Sequence, residues 1–134
     1  MNLSYLSLRK LVLSAIGVCS LSIPFMQSAQ ANPYKQVGHY CKDYESVFVA
    51  AETDNFYVSI CGGHSPYHYV GVSKKTGKAI RLPLNVDGVD SRGQYFEAVN
   101  GKYTYILANS TKGKNLTVSR GYRELLREPV VNGW

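Results

Sequence analysis

Short runs of alternating apolar and polar residues recur along this chain, with turn-forming residues between them. In the clearest run, residues 56–61, the apolar side chains of Phe56, Val58 and Ile60 fall on one face of an extended strand. Strands spaced about eight to twelve residues apart are typical of antiparallel meanders. The pattern therefore predicts an all-β fold, a small antiparallel meander or barrel of six to eight strands.

Two neighbouring runs extend this prediction. Residues 67–73 form the next strand, in which the pattern predicts that Val70 and Val72 point inward. Residues 78–82 form the strand after it. We expect Pro83 to end that strand, because proline has no amide hydrogen to donate to a ladder.

Turn chemistry predicts the connections. Residues 74–77 read as a hairpin turn, and Asn100-Gly101 is a strong short-range hairpin signal. The glycines and aspartates of residues 84–93 predict a loop instead of a strand. Residues 37–40 are a candidate first strand, whereas residues 122–128 fit either a last strand or one helical turn.

The N-terminal stretch has the features of an export signal. Arg9 and Lys10 form a short basic region, and residues 11–23 are apolar. Ala29-Gln30-Ala31 then gives the small-x-small pattern that a signal peptidase needs. The apolar run is shorter than the roughly 20 residues of a membrane span.

These features divide the chain into two parts. We predict a signal-peptide helix in residues 1–31, cleavage before Asn32 and a single exported β domain in residues 32–134. The domain is then periplasmic or secreted. A retained membrane anchor is the alternative interpretation of the same stretch.

Two cysteines remain after such a cleavage, because Cys19 leaves with the signal. An even pair in a small exported domain usually forms a disulfide, so we predict a bond between Cys41 and Cys61.

The charge balance is basic. The full chain has a formal net charge of +6, and thirteen basic against nine acidic residues leave +4 once Arg9 and Lys10 are removed. A modest positive charge favours an anionic cell-envelope polymer or a protein partner, and no nucleic acid is expected in an exported setting. The basic residues predicted to meet such a partner are Lys74, Lys75, Lys78 and Arg81.

Histidines near the cysteines raise the hypothesis of a metal site. His39 lies two residues before Cys41, and His64 and His68 follow Cys61 closely. A contact between the cysteines would bring both groups together, and imidazoles suit zinc or copper. Disulfide sulfurs are not thiolate ligands, so the hypothesis reduces to a site of three histidines.

Catalytic motifs are not evident. No Gly-x-Ser-x-Gly elbow occurs, and no serine or acid is tied to a histidine by spacing. We therefore predict a non-enzymatic protein that requires no cofactor. The loop at residues 87–94 is the most credible binding surface, since long loops on a rigid sheet often carry binding residues.

The chain resembles short secreted cyanobacterial proteins of uncharacterised function. The resemblance covers most of residues 39–134 and implies export and a compact domain. It is carried by ICGG (60–63), YVGV (69–72), TGKAIRLP (76–83), AVNGKYTYIL (98–107) and RELLREPV (123–130).

A further similarity is to the periplasmic and membrane-bound inhibitors of C-type lysozyme, which are small antiparallel barrels. The order of that family's motifs is found here: an early cysteine, Cys41, is followed by Leu82-Pro83 and then by Ser91-Arg92-Gly93-Gln94-Tyr95. The similarity implies that Ser91, Arg92 and Tyr95 form an inhibitory loop.

The expected function is therefore that of an exported binding module that uses loops and basic tips. A lysozyme inhibitor acting through residues 87–95 and a periplasmic metal-binding protein are the alternatives.

Overall fold

The computed structural model describes residues 37–134, so the predicted signal peptide lies outside the described residues. This part of the chain is all-β, which confirms the predicted fold class. Its nine strands exceed the predicted six to eight by one. They are β1 (Ser46–Glu52), β2 (Phe56–Gly62), β3 (Pro66–Ser73), β4 (Ala79–Asp90), β5 (Gly93–Asn100), β6 (Tyr103–Ser110), β7 (Gly113–Arg120), β8 (Arg123–Pro129) and β9 (Asn132–Gly133).

The strands form one curled antiparallel sheet in the order β8-β7-β6-β5-β4-β3-β2-β1-β9. β8 pairs with β7, whereas β9 pairs with β1 at the other end of that order. Between them, the Val130 amide donates to the Lys114 carbonyl (2.9 Å) and the Val131 amide donates to the Glu52 carbonyl (2.8 Å). The C-terminal segment therefore joins β7 to β1, which lie near opposite ends of the strand order.

Tight turns join the strands of the second half. Asn100 pairs with Tyr103, so the predicted hairpin is present and its two turn residues are Gly101 and Lys102. Gly101 has a φ of 61°, a conformation that glycine adopts without a steric penalty. The predicted hairpin after β3 is also present, with φ 69° at Gly77.

The main core lies on the concave face of the sheet. The predicted inward face of β2 is confirmed, because Val58 and Ile60 are fully buried and Phe56 packs against them. The other fully or nearly fully buried members of this core are Val49, Ala51, Tyr69, Phe96, Ala98, Leu107 and Leu116.

The prediction of which β3 side chains point into the main core was wrong. Tyr69 points into the core, so Val70 and Val72 lie on the convex face, where they are buried with Cys61 in a second cluster. Residues 37–42 are not a strand, and Cys41 from this segment packs on that cluster. The N-terminal segment covers the convex face of this part of the sheet, so apolar side chains are buried on that face as well.

β4 corrects the predicted loop at residues 84–93. The strand continues through Pro83 to Asp90, and only Ser91 and Arg92 connect it to β5. Pro83 is the last residue of β4 paired with β3, and Leu84 is the first paired with β5. Pro83 thus lies where the pairing of β4 with β3 ends and its pairing with β5 begins. At this position the strand does not depend on the amide hydrogen that proline lacks.

The segment left open between strand and helix is a strand, β8. Its partners shift from Leu126 opposite Val118 to Glu124 opposite Ser119, so Leu125 is the extra residue of a β-bulge. The bulge lets Leu126 pack against the core while its neighbour Leu125 is exposed. The bulge explains why these two adjacent leucines fit neither the period of a strand nor that of a helix.

Candidate functional site

The residues expected to form an inhibitory loop belong to a tight hairpin. Arg92 is 82% exposed and pairs with Asp90, with Nη2 2.7 Å from Oδ2. This hydrogen bond lowers the pKa of Asp90. Arg92 and Tyr95 line a hollow of about 310 Å³ on the convex face, but Ser91 does not. Inhibition of lysozyme through residues 87–95 stays a prediction, which a lysozyme turnover assay tests.

The basic residues predicted to form one tip are divided by the fold. Lys74 donates to Glu52 Oε1 (2.7 Å) and to the Thr53 carbonyl (2.6 Å), and the hydrogen bond to Glu52 raises its pKa. Arg81 pairs with Glu45 on the convex face. Lys75 and Lys78 are exposed, and neither forms an ion pair within residues 37–134.

The structure does not bring the three histidines together. In the described part of the chain, the ligand atoms that lie within 4.8 Å of one another belong to Cys41, Glu45 and Cys61. Cys41 and Cys61 form the predicted disulfide, so their sulfurs are not thiolate ligands. His39 and His64 are exposed. Metal binding stays a prediction that metal analysis of the purified protein tests.

His68 belongs instead to an ionic group, the Glu45 cluster, in which the buried Glu45 meets the partly exposed His68 and Arg81. Arg81 Nη2 donates to Glu45 Oε1, and His68 Nδ1 lies 3.3 Å from the same oxygen. The Lys42 amide donates to Oε2 (2.9 Å). Burial raises the pKa of Glu45, but these donors outweigh it and lower the pKa from 4.5 to about 2.

The Glu45 cluster has a structural role, because it fixes the segment that carries Cys41 to β3 and β4. Cys61 and His68 are direct partners on neighbouring strands, so the disulfide and the cluster lie side by side. The Tyr40 amide adds a third attachment by donating to Ser59 Oγ (3.0 Å).

We expect Glu45→Gln to change how stability depends on acid. The folded pKa of Glu45 lies below the ordinary value, so its contribution is complete above about pH 4.5 and is lost as the pH falls to about 2. The variant should be less stable than the wild type at pH 7 and should lose less stability over this acid range. Urea unfolding between pH 2 and pH 7 measures the difference.

Asp43→Asn is the matched control, since Asp43 is an exposed acid on the same segment and makes no ion pair within residues 37–134. It should follow the wild-type profile. Parallel profiles for the wild type and Glu45→Gln would contradict the assigned role.

The concave face contains a cavity of about 440 Å³, here called the inner cavity. Its residues come from the starts of β2, β4, β6 and β8 and from the ends of β3 and β7, so it opens at one end of the curled sheet. They are Phe56, Tyr69, Gly71, Ser73, Lys78, Ile80, Tyr103, Tyr105, Leu116, Val118, Leu125 and Leu126.

Local sequence explains how the Tyr69 ring forms part of the cavity wall. A Cβ on Gly71 would lie 3.0 Å from Cε1 of Tyr69, so glycine leaves room for the Tyr69 ring to lie over the strand. The rings of Tyr69 and Tyr105 are 5.5 Å apart between centroids. Burial raises the pKa of both hydroxyls, so both remain neutral at physiological pH.

Alternation along β6 places Tyr103, Tyr105 and Leu107 on one face, but this pattern alone does not reveal the inner cavity. The missing information was that this face curls towards Tyr69, which lies far away along the chain. A small residue beside tyrosine in Tyr69-Val70-Gly71 was the available signal for an incompletely filled interior.

The inner cavity is the candidate site of this chain. Within residues 37–134, no helix is long and apolar enough to cross a membrane. Comparison with family models, with curated proteins and with solved structures finds no match, so the geometry of the cavity is what bears on function.

Proposed function

We propose that this chain is an exported, non-enzymatic binding module whose ligand is a small, largely apolar molecule held in the inner cavity. The observation that carries the proposal is a cavity of about 440 Å³ on the concave face, lined by aromatic and aliphatic side chains. Ligand sites of about 300–1,000 Å³ with such a lining are common at the mouths of curled and closed β-sheets.

The surrounding sheet supports a preformed site. The disulfide and the Glu45 cluster attach the N-terminal segment to β2, β3 and β4. On the other side, Glu128 accepts hydrogen bonds from Asn55 Nδ2 (2.6 Å) and from the Asn55 amide (3.2 Å), which join the β1–β2 turn to β8. A rigid cavity requires little ordering when its ligand binds.

The chemistry of the lining supports binding without catalysis. It includes no histidine, cysteine or carboxylate among the described residues. The Ser73 hydroxyl accepts a hydrogen bond from the Thr76 amide (3.3 Å) within the β3–β4 turn, and it makes no hydrogen bond to Lys78. A nucleophile with an adjacent base is therefore not assembled there.

The disulfide supports the export part of the proposal, because such bonds persist mainly in oxidising compartments. The same argument supports the proposal of a periplasmic or secreted location. Alkylation of the thiols in the native protein, before and after reduction, tests whether the bond forms in the cell.

We expect the purified protein to bind the neutral apolar probe N-phenyl-1-naphthylamine with an increase in its fluorescence. Val118→Trp should reduce the increase, because Val118 lines the inner cavity and an indole at this position occupies part of its volume. Val99→Trp is the control, since Val99 is exposed and does not line the cavity. Equal probe binding by the wild type and Val118→Trp would refute the proposal, provided that circular dichroism shows both to be folded.

A further inference from the structure

We infer that the ligand of the inner cavity is an anionic amphiphile, with its apolar part inside and its carboxylate or phosphate group at the mouth beside Lys78. This inference rests on the proposed binding function and specifies the chemical class of the ligand. The lining residues are apolar or aromatic apart from Ser73 and Lys78. Lys78 is therefore the one formally charged side chain among them.

The availability of Lys78 distinguishes it from its neighbour Lys74. Lys74 belongs to the same turn, but Glu52 neutralises it. Lys78 precedes β4 directly, lines the cavity and has no carboxylate partner within residues 37–134. A cationic amine in this state favours an anion at the cavity mouth.

A second cationic side chain lies beside the lining of the cavity. Arg120 lies over the ring of Tyr103, 5.9 Å from its centroid, and Tyr103 lines the cavity. The acidic residue next to Leu125 is Glu124, which pairs with Arg127 (2.7 Å) and is neutralised by it. An anionic head group would meet Lys78 and Arg120, whereas a cationic one would be repelled.

The depth of the cavity determines the orientation of the ligand. Tyr69 and Leu116 are almost completely buried and lie at its inner end. Burying a charge there without a partner is costly, so the charged group must remain at the mouth. The apolar part then contacts Tyr69, Tyr105 and Leu116.

The experiment is displacement of N-phenyl-1-naphthylamine from the purified protein by four ligands with the same twelve-carbon chain. These are dodecanoate, dodecyl phosphate, dodecanol and dodecyltrimethylammonium, each used below its micellar concentration. We expect at least one of the two anions to displace the probe at a concentration about fivefold lower than the cation does, as a partly exposed charge contact allows. The tighter of the two anions identifies the head group.

Lys78→Glu should reverse the preference between anion and cation. Lys75→Glu is the matched control, because it changes the same charge in the same turn at a residue that does not line the cavity. Lys75→Glu should leave the order in which the four ligands displace the probe unchanged. Added salt should reduce the difference between the anions and the cation in the wild type.

Equal displacement by all four ligands, with Lys78→Glu behaving like the wild type, would overturn the anionic class while the binding function stands. Absence of any probe binding by the wild type would instead refute the proposed function itself. The two failures are therefore distinguishable.

Discussion

Reduction of the disulfide between Cys41 and Cys61 is expected to lower the free energy of unfolding by about 3 kcal/mol. The bond closes a loop with a sequence separation of 20, and loops of this length restrict the unfolded chain by about that amount. For a small domain with a total stability of about 5–15 kcal/mol, this is a large fraction. Urea unfolding with and without a thiol reductant measures it.

The double variant Cys41→Ser with Cys61→Ser is the control. Its unfolding midpoint should match that of the reduced wild type and should not respond to reductant. An unchanged midpoint after reduction of the wild type would show that the Glu45 cluster and the hydrogen bond from Tyr40 to Ser59 hold the segment alone.

Phe96→Ala is expected to destabilise the protein by about 3–5 kcal/mol, because it leaves a large void in a close-packed interior. Phe96 is 0% exposed in the main core. Its ring lies 6.4 Å from that of Trp134 between centroids, so the substitution also loosens the C-terminal segment. Thermal and urea unfolding measure the loss.

Tyr122→Ala is the matched control, since it removes an aromatic ring of similar size from the fully exposed β7–β8 turn. It should change stability by no more than about 0.5 kcal/mol. Similar losses for the two variants would contradict the assignment of Phe96 to the core.

Alternation and turn chemistry predicted much of the fold. The inward face of Val58 and Ile60, the hairpin near Gly101 and the disulfide are confirmed. Each depends on local geometry or on the pairing of two cysteines, both of which can be inferred from short stretches of sequence.

The errors have a common physical cause. Val70 and Val72 are buried on the convex face because a distant segment covers them, and an apolar pattern alone does not show which face is covered. Pro83 was expected to end a strand, but β4 exchanges one partner for another at this residue. Most of the residues predicted to form a loop therefore belong to the second half of β4.

The candidate site was harder to predict than the fold. Lys78 was among the predicted binding residues, but nothing in its neighbourhood separates it from Lys74, which Glu52 neutralises. The Glu45 cluster joins residues from three separate parts of the chain. Such groups follow from strand register and from the packing of the N-terminal segment on the sheet, which short sequence patterns do not encode.

The pairing of β9 with β1 has a consequence for the order of folding. Asn132 Nδ2 donates to Glu52 Oε2 (3.4 Å) across a sequence separation of 80 residues. Contacts this distant along the chain form slowly, because closing a long loop costs conformational entropy before the contacts stabilise the fold. The pairing of β9 with β1 should therefore be a late step in folding, after the hairpins between neighbouring strands have formed.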